Sequence, residues 1–116
     1  MEGCIFCRIV RGEIPARKVF EDGEILAFHD IHPIAPVHFL IIPKVHVATL
    51  YDCDAGHGPV LGKMLAVAGR LAGEQGATDG FRTIINTGRI GRQEVYHVHI
   101  HIIGGPDVLP GMIVRK

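Results

Sequence analysis

The chain has 116 residues, of which 47% are hydrophobic and 21% charged. That length suits one domain with a real core, and the composition argues against disorder. Twelve basic residues balance twelve acidic ones, which excludes an electrostatic footprint for a long polyanion such as DNA but leaves room for a small phosphate ligand held by local donors.

The opening "MEGCIFCRIVRGEIP" lacks a basic region followed by a long apolar core, and no apolar run approaches the ~20 residues of a membrane span. The expectation is a cytoplasmic protein with no membrane attachment, whose three cysteines are thiols or metal ligands. Residues 4 to 11 read as a short helix or turn. Segments 17–21 and 24–29 flank Asp22-Gly23, a two-residue hairpin signal. "VHFLIIP" (37–43) is an apolar, β-branched strand ended by Pro43, and "KVHVATL" (44–50) reads as a short turn of helix. From Gly58 to Gln75, apolar residues at Val60, Leu61, Met64, Leu65, Val67, Ala68, Leu71 and Ala72 form one helical stripe. Asp54 is a candidate cap and Gly76 a stop. Gly62, Gly69 and Gly73 would let this helix pack closely on a sheet. "FRTIINTG" (81–88) is a further strand, and "PDVLPGMIVRK" (106–116) is a tail along the surface whose apolar residues need cover. Strands, one long helix and more strands predict an α+β domain spanning 1–116, an antiparallel sheet with its helices on one face.

The stretch "YHVHIHIIGG" (96–105) places His97, His99 and His101 at every second position. Alternation with Val98, Ile100 and Ile102 reads as a strand, so the histidines share one face and the aliphatic residues bury the other. An imidazole carries a zinc ion roughly 6 Å from its Cα, whereas the outer two histidines of a strand stand about 13–14 Å apart. Two of the three could share a metal, which leaves at least one free. A neutral imidazole is a usable nucleophile near pH 7, provided its other nitrogen donates to something fixed. A neighbouring histidine can move the leaving group's proton. Attack on phosphorus suits this set. Gly104-Gly105 would allow close backbone approach, and Gly88 and Gly91 could aim N–H groups at a phosphate.

The pattern His97-Val98-His99-Ile100-His101-Ile102-Ile103 matches the signature of the histidine triad family. The segments "CIFCRIVRGEIPA", "AFHDIHPIAPVHFLIIPKVH", the Asn86 strand and "QEVYH" extend the resemblance to nearly the whole chain up to Gly105 and point to its Hint branch of nucleoside phosphoramidases. The resemblance implies a five-stranded antiparallel sheet with one long and one or two short helices, a homodimer, and hydrolysis of the phosphorus–nitrogen bond of purine nucleoside 5′-phosphoramidates. It makes His99 the nucleophile, with His101, His97 and His38 completing the catalytic cluster. His99 and His101 would also contact the phosphate. Asp30 would hold the ribose, His29 and Ile31 would line the base and sugar pocket, and Asn86, Gln93 and Glu94 would surround sugar and phosphate.

The same resemblance implies a structural zinc held by Cys4, Cys7, His46 and His97, and no organic cofactor. Three positions depart from the family pattern. Arg92 replaces a loop glycine and could contact or obstruct the phosphate, His32 replaces a small residue, and Pro106 replaces an arginine. Two rival readings remain: a dinucleotide polyphosphate hydrolase using the same triad, and a nucleotide-binding regulatory module with incidental catalysis.

Overall fold

The computed structural model describes residues 3–115. Its elements are helix α1 (Ile5–Val10), strands β1 (Lys18–Glu21), β2 (Ile25–His29) and β3 (Val37–Pro43), helix α2 (Gly58–Glu74), and strands β4 (Phe81–Ile84) and β5 (Ile100–Gly104). Two short 3-10 turns, Leu50–Asp52 and Ala55–His57, precede α2. The five strands form one sheet in the order β1-β2-β3-β5-β4, every neighbouring pair antiparallel. Among the described residues no helix is long and apolar enough to cross a membrane.

The central strands are buried on both faces, so alternation sorts their side chains between two cores rather than between core and water. Ile25 and Ala27 of β2, Val37, Phe39 and Ile41 of β3, and Ile100 and Ile102 of β5 meet Met64, Ala68, Leu71 and Ala72 of α2. The opposite side chains, Leu26 and Phe28, Leu40 and Ile42, meet Phe6 and Ile9 of α1. The helices therefore cover both faces, not one as the sequence order suggests. The α1 face also carries His38 and His101. Register brings the two strands together there, with His38 opposite Ile103 and Leu40 opposite His101.

Local signals explain most element ends. Helix α2 begins with Pro59 in its first turn, where a missing N–H is harmless. It ends at Gly76, whose φ of 106° lets the Gly76 N–H donate to the Gly73 carbonyl and the Ala77 N–H to the Ala72 carbonyl, a Schellman arrangement. Asp54 caps the 3-10 turn before α2, accepting from the Gly56 N–H, and not α2 itself. Within the helical stripe Leu65 is exposed. A Cβ at Gly62, Gly69 or Gly73 would meet nothing within 4 Å, so these glycines do not serve close packing on the sheet.

Other expectations shift at segment ends. The β1–β2 turn occupies residues 22–24, where the Asp22 carboxylate accepts from the Glu24 and Ile25 N–H groups. Residues 44–49 form no helix; the Val47 carbonyl instead accepts from the Val98 N–H at 2.8 Å. Strand β4 stops at Ile84, which leaves Asn86 in a loop. Only Ile100–Gly104 of the histidine stretch is ladder-paired, so His97 and His99 precede the strand. Gly104 and Gly105 are crowded by Ala77 and Pro36 of the chain itself, so their small size serves internal packing.

Candidate functional site

Backbone groups with fixed roles determine the protonation of each histidine at the sheet's α1 face. The His97 carbonyl lies 2.8 Å from His99 Nδ1. A carbonyl can only accept, so Nδ1 carries the proton and Nε2 of His99 keeps its lone pair. The Ile34 N–H donates to His38 Nδ1 at 3.2 Å, which puts the His38 proton on Nε2. That N–H points at His101 Nδ1, 3.0 Å away, and at Asp30 Oδ2, 3.3 Å away. With Nδ1 accepting, His101 carries its proton on Nε2. The rings of His99 and His101 lie 5.0 Å apart, and Phe6 meets His99 edge-on at 5.1 Å. The arrangement presents an unprotonated imidazole nitrogen beside a ring bearing an N–H donor.

Burial keeps these rings neutral. It lowers the pKa of His99 and of His38, and drives His101 down to about 4 with help from the nearby His99 and His38. The charges of Asp30 and Glu94 oppose the shift at all three without reversing it.

Two cavities meet at this cluster. One, of about 300 Å³, has apolar walls from Ile5, Phe6 and Ile9 of α1, from Ile14, Pro15, Ala16 and Val95, and from Phe28 and Leu40 of the sheet. His29, Asp30, Ile31, Glu94, His99 and His101 complete its lining. The other, of about 310 Å³, is lined by His32, Ile34, His38, Ile84, Asn86 and Ile103, and shares Asp30, Glu94 and His101 with the first. The apolar walls contributed by α1 and the following loop escape sequence reasoning. Their only signal is the pairing of Ile5 and Ile9 on one face of α1, with Ile5 left 45% exposed.

The loop between β4 and β5 is held from within. Gln93 donates through Nε2 to the Ala48 and Val95 carbonyls at 2.7 and 3.0 Å, and its Oε1 accepts from the Gly88 N–H at 2.9 Å. Its side chain is thus committed to the backbone. The Gly91 N–H is also engaged, on the Thr87 carbonyl, so neither loop glycine offers its N–H freely to a phosphate. Arg92 adopts a φ of 61°, a conformation suited to glycine, and lines neither cavity. Asp30 Oδ1 accepts from the His32 N–H at 2.8 Å, so this carboxylate both closes a turn and faces His38.

His97 belongs to a different cluster from His99 and His101. Its Nε2–H donates to the Pro43 carbonyl at 2.7 Å, which leaves Nδ1 with a lone pair. That atom lies 3.4 Å from Cys4 Sγ, 3.6 Å from Cys7 Sγ and 3.2 Å from His46 Nδ1. Cys7 Sγ and His46 Nδ1 are 3.2 Å apart. A zinc tetrahedron has edges of roughly 3.3 Å between two nitrogens and roughly 3.6 Å between sulfur and nitrogen, given its bond lengths. The donor set fits that figure, and the Pro43 carbonyl supplies the outer hydrogen bond that orients a ligating imidazole. With both ring nitrogens engaged, His97 reaches the other two histidines only through its carbonyl, and its place in the catalytic set shrinks to that. Asp30, His38 and His101 also converge, but His38 Nε2 carries a proton there, so this group is a hydrogen-bond relay. Cys53 lies apart, its thiol on the Thr49 carbonyl.

A HIT domain family model matches residues 11–108. Protein HitA of Neisseria gonorrhoeae is 54% identical over 106 residues, covering 91% of this chain and 99% of that protein. The purine nucleoside phosphoramidase of Escherichia coli is 47% identical over 116 residues, covering 99% and 97%. Among solved structures, a histidine triad protein from Clostridium difficile superposes with a TM-score of 0.91 at 42% identity, covering 97% of this chain and 98% of that one.

Proposed function

Because the chain belongs to the HIT domain family, we propose that it hydrolyses the phosphorus–nitrogen bond of purine nucleoside 5′-phosphoramidates through a nucleotidyl-histidine intermediate. The observation that carries this reading is the hydrogen bond from His99 Nδ1–H to the His97 carbonyl. It holds the Nε2 lone pair in place before substrate arrives, so no reorganisation is needed at the moment of attack. The purine would occupy the apolar cavity against Phe6, Ile9 and Phe28, with its ribose near Asp30 and its phosphate where the two cavities meet.

Attack by Nε2 forms the new P–N bond as the substrate's P–N bond breaks. The phosphoramidate nitrogen takes up a proton from water before attack and departs as a neutral amine, while His101 Nε2–H donates a hydrogen bond to the phosphoryl oxygens. Water then cleaves the nucleotidyl-histidine, releasing the nucleoside monophosphate and restoring His99. His38 and Asp30 hold His101 in the required tautomer. Cys4, Cys7, His46 and His97 would hold a zinc ion whose role is structural, fixing the His97 backbone and through it His99. The reading includes a single catalytic domain over the chain, a homodimer and a cytoplasmic location, as well as a branch named by the E. coli relative's own activity.

The test is AMP release from adenosine 5′-phosphoramidate by the wild type and by His99→Ala, with folding of the variant checked by its unfolding transition. Release by the wild type alone supports the reading. Equal release by both removes His99 as nucleophile. Binding of AMP without release by either would favour the dinucleotide hydrolase or the binding module.

A further inference from the structure

Paired thiols have a redox chemistry that a purely structural metal site leaves unused. Cys4 precedes α1 and Cys7 lies in its first turn, where the Cys7 N–H donates to Cys4 Sγ at 3.4 Å. The two sulfurs lie within 4.8 Å of each other, as do all four donor atoms of this cluster. A disulfide bond is about 2 Å long, so closing it takes a movement of less than about 3 Å. Cys53, the third cysteine of the chain, donates to the Thr49 carbonyl and belongs to no donor cluster among the described residues.

The two thiols differ in access. Cys4 is half-buried and lines a cleft of about 450 Å³ together with Ile5, His46 and Tyr96, room enough for a small oxidant. Cys7 is only 7% exposed and is absent from that lining. Both sulfurs also stand within 3.6 Å of His97 Nδ1. Helix α1 places Phe6 edge-on against His99 and contributes Ile5, Phe6 and Ile9 to the apolar cavity. A change at the sulfurs is therefore felt at the nucleophile through α1 and through the His97 backbone.

We propose that Cys4 and Cys7 form a reversible, peroxide-sensitive pair whose disulfide and metal-bound forms exclude one another. This rests on the structural zinc reading above. Cys4 Sγ attacks one oxygen of hydrogen peroxide; the O–O bond breaks, Cys4 becomes a sulfenic acid, and the departing hydroxide takes a proton to give water. Cys7 Sγ then attacks Cys4 Sγ, forming the S–S bond and displacing a second hydroxide, which is protonated in turn. Two thiolates lose two electrons, and one peroxide yields two waters. The oxidised pair presents no thiolate, so only His46 and His97 remain of the four donors, too few for a closed zinc site. Helix α1 then loses its tie to His97, the carbonyl that holds His99 Nδ1–H is fixed less firmly, and phosphoramidate hydrolysis slows. A thiol reductant reverses the change.

The experiment treats zinc-loaded, reduced protein with hydrogen peroxide beside a chromophoric zinc indicator, then alkylates it and cleaves it with trypsin. Peptide 1–8 contains both Cys4 and Cys7, whereas Cys53 falls in another. The indicator should take up one zinc per chain as peptide 1–8 loses both alkylation sites and becomes about 2 Da lighter than its unalkylated reduced form. Cys53 should stay alkylated. AMP release from adenosine 5′-phosphoramidate should fall severalfold in step, and dithiothreitol with zinc should restore it. In Cys7→Ser, dimedone should trap a sulfenic acid on Cys4; an adduct found instead on Cys7 in Cys4→Ser overturns the order of attack. Zinc retained by the disulfide form, zinc lost without a Cys4–Cys7 disulfide, or AMP release unchanged by that disulfide overturns the switch. A reduced protein that takes up no zinc overturns the metal reading and the switch with it. Zinc uptake without AMP release at any stage overturns the phosphoramidase reading, while the zinc and mass readouts still decide whether disulfide and metal exclude one another.

Discussion

Replacing Gln93 with alanine should damage stability, not nucleotide affinity. Its side chain makes three hydrogen bonds that tie residues 88 and 95 to Ala48, 45 positions away in sequence. Neutral hydrogen bonds contribute about 1 kcal/mol each, and a buried partner left unpaired costs more. Here Gly88, Ala48 and Val95 are only partly buried, so water can replace some of what is lost. The expected cost is about 2–3 kcal/mol, or a fall in melting temperature of roughly 10 °C for a chain of this size. Urea unfolding at one fixed protein concentration measures it, since association would make the midpoint concentration-dependent. Gln93→Glu provides the control. It keeps an acceptor for the Gly88 N–H but aims a carboxylate at two carbonyl oxygens, so it should be at least as destabilising as alanine. A loss below about 0.5 kcal/mol in Gln93→Ala, accompanied by weakened AMP binding in the folded protein, would refute the reasoning and return Gln93 to the ligand.

Acid should destabilise the fold through His101. Its pKa in the folded protein is about 4 against an ordinary 6.5, so between those values the unfolded chain binds more protons. Stability is then full above pH 6.5 and declines as the pH falls toward about 4; urea midpoints across that window, steeper in wild type than in His101→Asn, check it. Zinc titration of the reduced protein should saturate at one equivalent per chain, with a raised melting temperature, and Cys7→Ala should abolish both effects. Retained stoichiometric binding in that variant would remove the site. Arg92→Gly should stabilise by up to about 1 kcal/mol by removing a side chain from a left-handed backbone, offset in part by the freer unfolded chain; Arg92→Val should cost more than Arg92→Ala, and equal midpoints for all would contradict the strain.

Local signals in the sequence were sufficient where structure is local. The apolar stripe from Val60 to Ala72 and the stop at Gly76 define α2, because both act within one or two turns of helix. The alternation around His99 correctly implies two faces, but it overstates the strand. Alternation reports which way side chains point and says nothing of whether a neighbour supplies the ladder. The His97–His99 backbone finds other partners, the Val98 N–H going to Val47 and the His97 carbonyl to the His99 ring. Spacing along an ideal strand separates at least one histidine from the others, but only the family resemblance, not the spacing, singles out His97 as the one that turns to Cys4, Cys7 and His46 while His99 and His101 stay together. The apolar walls from Ile5, Phe6 and Ile9, and the tie from Gln93 to Ala48, depend on segments distant in sequence. No periodicity within either segment encodes such a meeting.

The central claim is that His99 Nε2 forms a covalent bond to phosphorus, and rapid mixing with adenosine 5′-phosphoramidate tests it most directly. After an alkaline quench, which preserves phosphorus–imidazole bonds, the peptide containing His99 should carry one adenylyl group within the first turnover. The same peptide from His99→Ala should carry none. Turnover with no modified histidine at any time, or an adenylyl group placed on His101 or His38, would contradict the account.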